Sequence, residues 1–129
     1  MSGTIDFYFD YSSPYGYLDS ERIEALAKRY DRSVVWHPIL LGFIFKISKQ
    51  APLTEEPLKG EYSVIDFALS SREHSIAYQH PSQFPIGAVA ASRATLWLRD
   101  HTDAAINNKT GNMVHAIYRA YFVEGKDIT

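Results

Sequence analysis

Residues 4–18, TIDFYFDYSSPYGYL, constrain the fold most, because they place a strand immediately before a helix. Apolar and polar side chains alternate over residues 4–11, and this alternation of β-forming residues predicts a half-buried strand. Ser13 then precedes Pro14, and these residue types are favoured at a helix N-cap and at the first helical position. An apolar stripe with helical spacing continues to Tyr30. We therefore predict a strand and a helix joined by a tight turn at Ser13.

The rest of the chain predicts one further strand and several helices. The second strand, SVVW, follows the first helix at a distance that allows a parallel βαβ unit. The later sequence favours a helical turn from residue 40, a loop over 50–57 and a helix over 58–74. An extended or irregular segment over 76–85 and a helix over 86–101 follow. A stretch poor in helix then precedes residue 111, and a last helix around Val114 ends near Gly125. We expect an α/β chain with an N-terminal βαβ half, residues 1–45, and a helical domain, residues 46–129.

Composition excludes several classes of function. The chain has 129 residues, a formal net charge of −2 and no cysteine. Without cysteine there can be no disulfide, no cysteine-ligated zinc or iron–sulfur cluster, and no cysteine nucleophile. The small negative charge argues against nucleic acid or an anionic membrane as a partner. The sequence shows neither a membrane-length apolar run nor a basic, apolar leader, so we expect a cytoplasmic protein.

Histidine and aspartate side chains give weaker indications of function. None of the five histidines has the spacing of a metal-binding motif, so we predict no metal site. Asp6 and Asp10 are expected on one face of the first strand. They can form an acid–base pair, but the polar face of a half-exposed strand explains them better. On the last predicted helix, the helical spacing of Tyr118, Tyr121 and Phe122 indicates core packing.

Ser13 is the strongest candidate for chemistry. The segment Ser13-Pro14-Tyr15-Gly16 has the spacing of a C-P-x-C redox motif in which serine and glycine replace the cysteines. The turn joins the carboxyl end of a strand to the amino end of a helix, where α/β proteins commonly bind ligands. Free N–H groups and the helix dipole favour an anion there and lower the pKa of a thiol. Ser13 is therefore either only an N-cap or also a hydrogen-bond donor to the thiolate of a ligand.

Five segments carry a resemblance to a known family. In order along the chain they are IDFYFDYSSPYGYL, HPILLGFIFKISKQAPL, LKGEYSVIDF, PSQFPIGAVAASRA and AIYRAYFVEGKDI. They resemble the 2-hydroxychromene-2-carboxylate isomerases and their relatives, the kappa-class glutathione transferases. The resemblance implies a thioredoxin-like fold of the DsbA type, in which an N-terminal βαβ unit is followed by an inserted helical domain. Family chains continue beyond the length of this one, so we expect their C-terminal thioredoxin elements to be missing here.

The resemblance also implies a set of site residues. The catalytic serine of the family falls on Ser13, and Pro14 and Tyr15 complete its S-P-[YF] motif and would line the thiol of glutathione. An amide-bearing residue that binds the peptide part of glutathione falls on Gln50. The lysine of the family's K-G-x-Y segment falls on Lys59. We therefore expect glutathione as the cofactor, with these residues around it.

The function implied is that of a glutathione-dependent isomerase acting on aromatic breakdown products like 2-hydroxychromene-2-carboxylate. Two alternatives stay open: a kappa-type glutathione transferase, and a non-catalytic fragment that binds glutathione or protein. A thiol–disulfide oxidoreductase is excluded because the chain has no cysteine. Phe43, Ile44 and Phe45 either face a small apolar or aromatic electrophile or belong to the core. We expect a homodimer, since the family and the exposed edges of a two-strand sheet both favour one.

Overall fold

The computed structural model describes residues 3–101 and 108–129 of the chain. These residues contain two parallel strands and five α-helices. In chain order they are β1 (Gly3–Phe9), α1 (Pro14–Arg29), β2 (Arg32–Pro38), α2 (Leu41–Ser48), α3 (Lys59–Glu73), α4 (Val89–Asp100) and α5 (Asn108–Phe122). The two strands pair in parallel from Gly3 opposite Arg32 to Phe9 opposite Pro38. This arrangement confirms the predicted α/β class and the parallel βαβ unit.

Burial along β1 follows the alternation in the sequence. Its odd-numbered side chains face the interior and its even-numbered ones face solvent, up to Phe9, which is 2% exposed. The predicted end of the strand at residue 11 was wrong, because the backbone leaves the sheet after Phe9 and turns. In that turn the Ser13 N–H donates to the Asp10 carbonyl at 2.9 Å. The turn brings Ser13 to the carboxyl end of the sheet.

The start of α1 confirms the predicted capping. Ser13 has the extended backbone of an N-cap, and its Oγ accepts a hydrogen bond from the Gly16 N–H at 3.1 Å. Pro14 is the first helical residue, where its missing N–H leaves no donor unpaired. The helix ends at Arg29, next to the predicted limit. The residues around Ser13 are therefore enough to predict where this helix begins.

The aromatic stripe of α5 lies in the core, as predicted. Tyr118 and Phe122 are fully buried and Tyr121 is 3% exposed. The Tyr118 ring contacts the rings of Phe9 and Tyr17, with centroids 5.8 and 5.7 Å apart. Helix α5 thus packs behind the turn that carries Ser13, against side chains of both β1 and α1. Burial of these large rings supplies much of the hydrophobic driving force for this packing.

The boundaries of the last two helices correct the sequence predictions. Residues 102–111 were predicted to be poor in helix, but α5 begins at Asn108, so the end of this stretch is helical. Residues 102–107 lie outside the described residues. The buried face of α5 continues to Thr110, one turn before Val114. α4 begins at Val89 rather than at residue 86, because the Ile86 N–H donates to the hydroxyl of Ser12 at 3.0 Å. That contact keeps Ile86 in the irregular segment.

The connection from β2 to α3 is more helical than predicted. α2 forms a helix of 8 residues where a helical turn was expected, and a 3-10 turn, Leu53–Glu55, lies within the predicted loop. α3 occupies the span predicted for a helix over residues 58–74. Within the described ranges, no helix combines the length and apolar character that crossing a lipid bilayer requires.

Candidate active site at the Ser13 turn

A cavity of about 240 Å³ opens where the carboxyl end of β1 meets the amino end of α1. Three of the sequence-predicted site residues, Ser13, Pro14 and Tyr15, line it together. The other lining residues are mostly apolar. They come from the turn between β1 and α1, from α2, from the 3-10 turn and the residue before it, from α3 and from the irregular segment before α4: Asp10, Ser12, Leu41, Gly42, Phe45, Pro52, Leu53, Thr54, Phe67, Phe84, Pro85 and Ile86. The cavity therefore offers a polar turn at one place and an apolar wall elsewhere.

The hydroxyl of Ser13 has two separate hydrogen-bonding capacities. As an N-cap it uses a lone pair of Oγ to accept from the Gly16 N–H. A serine hydroxyl also has one proton to donate. Among the described residues, no acceptor pairs with that proton, and Ser13 is only half-buried. The capping role and a donor role toward a ligand are therefore compatible, although the sequence presented them as alternatives.

The first turn of α1 provides further stabilisation for a negative charge. Pro14 has no N–H, and the Gly16 N–H is taken up by the Ser13 cap. The Tyr17 N–H donates to the Ser13 carbonyl at 3.0 Å. The N–H of Tyr15 has no acceptor within the part of the chain that the structure describes. This N–H group and the positive end of the helix dipole together favour an anion beside Ser13.

Tyr15 joins the Ser13 turn to α3. Its hydroxyl donates to Asp66 Oδ2 at 2.6 Å, and its ring meets the Phe67 ring edge-on at 4.8 Å. Burial, followed by the hydrogen bond and the negative charge of Asp66, raises the pKa of Tyr15 well above its ordinary value. Tyr15 is therefore a neutral phenol whose proton is directed to α3. The ring is held as a fixed wall of the cavity.

Asp10 is a site residue that the sequence prediction missed. It is 7% exposed and does not lie on the polar face of β1; the expectation that it shares a face with Asp6 was wrong, because the strand ends before it. Its Oδ1 accepts from the Ser12 N–H and its Oδ2 from the Leu41 N–H, both at 2.8 Å. Burial raises the pKa of Asp10, and these two backbone hydrogen bonds oppose the rise.

The backbone carbonyl of Asp10 accepts two hydrogen bonds, as many as its carboxylate. Its carbonyl accepts from the Ser13 N–H at 2.9 Å and from the Tyr118 hydroxyl at 2.8 Å. The signal in the sequence was an aspartate directly before a serine-rich turn, a position where its side chain commonly caps backbone N–H groups. That signal indicates the bond to Ser12, but it cannot indicate the bond to Leu41, which lies 31 residues away.

Gln50 and Lys59 are not among the residues that line the cavity. Gln50 is exposed just after α2, and its N–H donates to the Phe45 carbonyl at 3.0 Å. Lys59 is the exposed first residue of α3. Both flank the segment that contributes Pro52, Leu53 and Thr54 to the cavity. Their roles toward glutathione stay predictions.

The apolar segment on α2 divides between solvent and the cavity. Phe43 is 62% exposed and Ile44 is also exposed, so neither belongs to the core. Phe45 is half-buried and lines the cavity, together with Leu41 from the start of the same helix. Only part of the segment can therefore contact a small molecule bound at Ser13.

Gly16 occupies the second cysteine position of the redox-like motif, and its surroundings exclude a side chain. A Cβ atom there would lie 2.7 Å from the Tyr118 hydroxyl oxygen and 3.3 Å from Cβ of Ser13. Tyr118 is fully buried and hydrogen-bonded to the Asp10 carbonyl, so it cannot move aside cheaply. The turn is built around glycine at this position and cannot hold a second thiol without repacking.

The ionisable side chains near the site form pairs rather than metal-binding clusters. His37 Nε2 lies 2.8 Å from Asp6 Oδ1, and His80 Nδ1 lies 2.9 Å from the Tyr78 hydroxyl. Over residues 3–101 and 108–129, no three histidine, aspartate or glutamate side chains converge as ligands of a metal ion. The site's electrostatics therefore come from the helix terminus and the buried Asp10.

Comparison with known proteins places the fold. A family model described as the DSBA-like thioredoxin domain matches residues 4–129. No curated protein matches the sequence. A solved structure of 2-hydroxychromene-2-carboxylate isomerase superposes on 98% of this chain with a TM-score of 0.78 and 21% sequence identity. The match covers 59% of that isomerase, so this chain spans less than two thirds of its length. By its match to the family model, the chain belongs to the DSBA-like thioredoxin domain family.

Proposed function

We propose that this chain carries the thiol-binding site of a glutathione-dependent isomerase acting on aromatic breakdown products like 2-hydroxychromene-2-carboxylate. The single observation that carries the proposal is the hydroxyl of Ser13. It caps α1 through a lone pair and keeps its proton available at the helix N-terminus. A hydroxyl donor at this place suits a ligand thiolate, because the chain itself has no cysteine to bind there.

The residues around Ser13 fit a bound thiolate in three respects. The Ser13 hydroxyl would donate a hydrogen bond to the sulfur, the Tyr15 N–H is a second free donor among the described residues at this helix terminus, and the dipole of α1 favours negative charge. Bound glutathione would supply a thiolate nucleophile, whose addition to a conjugated carbonyl compound and subsequent elimination is the chemistry of a cis–trans isomerisation and leaves glutathione unchanged. Donors fixed in place before reaction stabilise the developing anion without reorganising.

The apolar wall supports an apolar or aromatic electrophile as the second substrate. Leu41, Phe45 and Phe84 contribute aliphatic and aromatic surface to the same cavity as Ser13. An aromatic ring placed against this surface would be shielded from water while its reactive carbon faces the sulfur position. Gln50 and Lys59 are proposed to bind the peptide part of glutathione, which extends beyond the sulfur.

The test combines binding and turnover. Calorimetric titration of the protein with glutathione measures affinity, and the absorbance change between the two isomers of 2-hydroxychromene-2-carboxylate measures activity. We expect Ser13→Ala to bind glutathione and to lose about 10²–10³-fold in turnover, the usual loss when one anion-stabilising donor is removed. Lys59→Ala should weaken glutathione binding without a comparable loss in turnover.

Three outcomes contradict the proposal. Absence of binding heat at millimolar glutathione would leave a scaffold or protein-binding module as the better explanation. Full activity in Ser13→Ala would show that the serine is an N-cap only. Accumulation of a stable glutathione adduct in place of the isomer would favour the kappa-type transferase.

A further inference from the structure

We propose that Asp10 is a positioning residue that sets the place of the apolar wall relative to the Ser13 turn. Its carboxylate bridges two backbone N–H groups from different parts of the chain, Ser12 in the turn and Leu41 at the start of α2. Ser12 precedes Ser13, and Leu41 and Phe45 line the cavity. One buried side chain therefore connects the proposed sulfur-binding turn with the surface proposed to hold the electrophile.

Helix α2 has no cap of its own. Its N-cap residue is Leu40, whose side chain cannot accept a hydrogen bond and therefore cannot cap the helix. The carboxylate of Asp10 takes over this role from 31 residues earlier in the sequence, at 2.8 Å from the Leu41 nitrogen. A negative charge is also favourable at a helix N-terminus. The position of α2 thus depends on a residue outside it.

Each oxygen of the Asp10 carboxylate accepts a hydrogen bond from a different N–H group, which explains why this position has a carboxylate. An asparagine has one acceptor oxygen, and its amide group would present a donor to the second N–H. The carbonyl of Asp10 is held in addition by Ser13 and Tyr118, so the residue is fixed from both sides. Burying this charge is costly, and a change to alanine or asparagine would remove that cost. Its presence despite the cost fits a positioning role.

The first measurement needs no ligand. Hydrogen exchange of the Leu41 amide is compared among the unmodified protein, Asp10→Asn and the control Asp6→Asn, which changes an exposed aspartate within β1. We expect the protection of Leu41 to fall on the order of tenfold or more in Asp10→Asn, because hydrogen bonds to charged acceptors are among the stronger ones. Asp6→Asn should leave it unchanged.

A second pair of variants keeps the inference testable if Asp10→Asn folds poorly. Leu41→Pro removes the N–H and suits the first helical position, since the residue before it is already extended (φ −114°, ψ 97°). Leu41→Ala removes the side chain and keeps the N–H. If Asp10 acts through the Leu41 N–H, Asp10→Asn must cost less stability in the Leu41→Pro background than in the Leu41→Ala background. Equal costs in the two backgrounds would overturn the inference.

The kinetic measurement rests on the proposed function. In Asp10→Asn we expect kcat/KM for the electrophile to fall about 10–100-fold through a raised KM, because a small misplacement of the binding wall is costly. The affinity for glutathione should change less, because the Ser13 N–H still donates to the backbone carbonyl of residue 10 and holds the turn. An equal loss in both would indicate general damage and contradict the positioning role. If no glutathione binds even to the unmodified protein, the proposed function fails, while the Leu41 measurements still decide this inference.

Discussion

At the scale of single residues, Ser13 and Gly16 explain why a redox-shaped turn lacks redox chemistry. Ser13 places a hydroxyl where the attacking thiol of a C-P-x-C motif would stand, and it still caps the helix. Gly16 leaves room for the Tyr118 hydroxyl in place of a second thiol. The turn therefore keeps the helix-terminus geometry of such motifs, and under the proposed function the thiol is that of a ligand.

The two roles of Ser13 can be separated by comparing two variants. Ser13→Ala removes both the cap acceptor and the proton, and should cost about 1 kcal/mol of stability, whereas Ser13→Gly should cost only a few tenths because glycine is tolerated at N-caps. Turnover should fall to a similar extent in both, since both lack the hydroxyl. Urea denaturation and the isomerisation assay check this. A loss of turnover that tracks the loss of stability would contradict the donor role.

Gly16 gives a second prediction at this scale. An alanine usually stabilises a helical position relative to glycine by about 1 kcal/mol. At Gly16 overpacking against Tyr118 should outweigh that gain and destabilise the protein by about 1–3 kcal/mol. The matched control is Gly42→Ala in α2, where an added Cβ meets nothing within 4 Å and should be neutral or stabilising. Equal effects of the two changes in urea denaturation would refute the steric argument.

At the scale of elements, α5 stabilises the site by packing against the residues that form the Ser13 turn. Tyr118 places its hydroxyl on the carbonyl of Asp10, while its ring contacts residues of β1 and α1. The same helix holds the irregular segment before α4, because the Tyr121 hydroxyl donates to the Gln83 carbonyl at 2.6 Å. The order of the Ser13 turn therefore depends on a helix far away in the sequence.

Replacing Tyr118 with phenylalanine tests this support. The Asp10 carbonyl keeps the Ser13 N–H as a donor, so the loss should be that of one ordinary hydrogen bond, about 0.5–1.5 kcal/mol, rather than that of an unpaired buried group. Tyr121→Phe, on the same helix, should cost a similar amount. Only Tyr118→Phe should change the chemical shift and exchange rate of the Ser13 amide. Equal effects of both variants on that amide would argue against local support.

At the scale of the whole molecule, stability should depend on the protonation of His80. This side chain packs beside the rings of Phe67 and Phe84, with centroids 6.3 and 4.9 Å away. Partial desolvation beside these rings lowers the pKa of His80 in the folded protein from its ordinary value of 6.5. As pH falls through 6.5, the unfolded chain therefore binds more protons at this position than the folded chain, and the free energy of unfolding decreases.

Replacing His80 with phenylalanine removes this contribution. The free energy of unfolding, measured with urea between pH 7 and pH 5, should fall less steeply in the variant than in the unmodified protein. Identical pH dependence would show that burial does not perturb His80.

The homodimer that the resemblance implies is also a property of the whole molecule, and it stays a prediction.

The sequence by itself determined the features that depend on neighbours along the chain. The alternation before Ser13, the cap at Ser13 with Pro14, and the helical stripe of α5 all follow from local geometry, which short-range patterns record. Family motifs added the thioredoxin-like fold and the candidate serine. Each of these predictions needed no knowledge of which distant residues meet.

Only the tertiary structure decided which distant groups complete the site. Asp10 reaches Leu41 over 31 positions, Tyr15 reaches Asp66 over 51, and the Ile86 N–H reaches Ser12 over 74. Periodicity tells which face of an element is buried, but it does not tell which partner that face meets. Such pairings are set by packing of the whole chain, because a buried carboxylate or N–H takes whichever partner the fold brings within 3 Å or so.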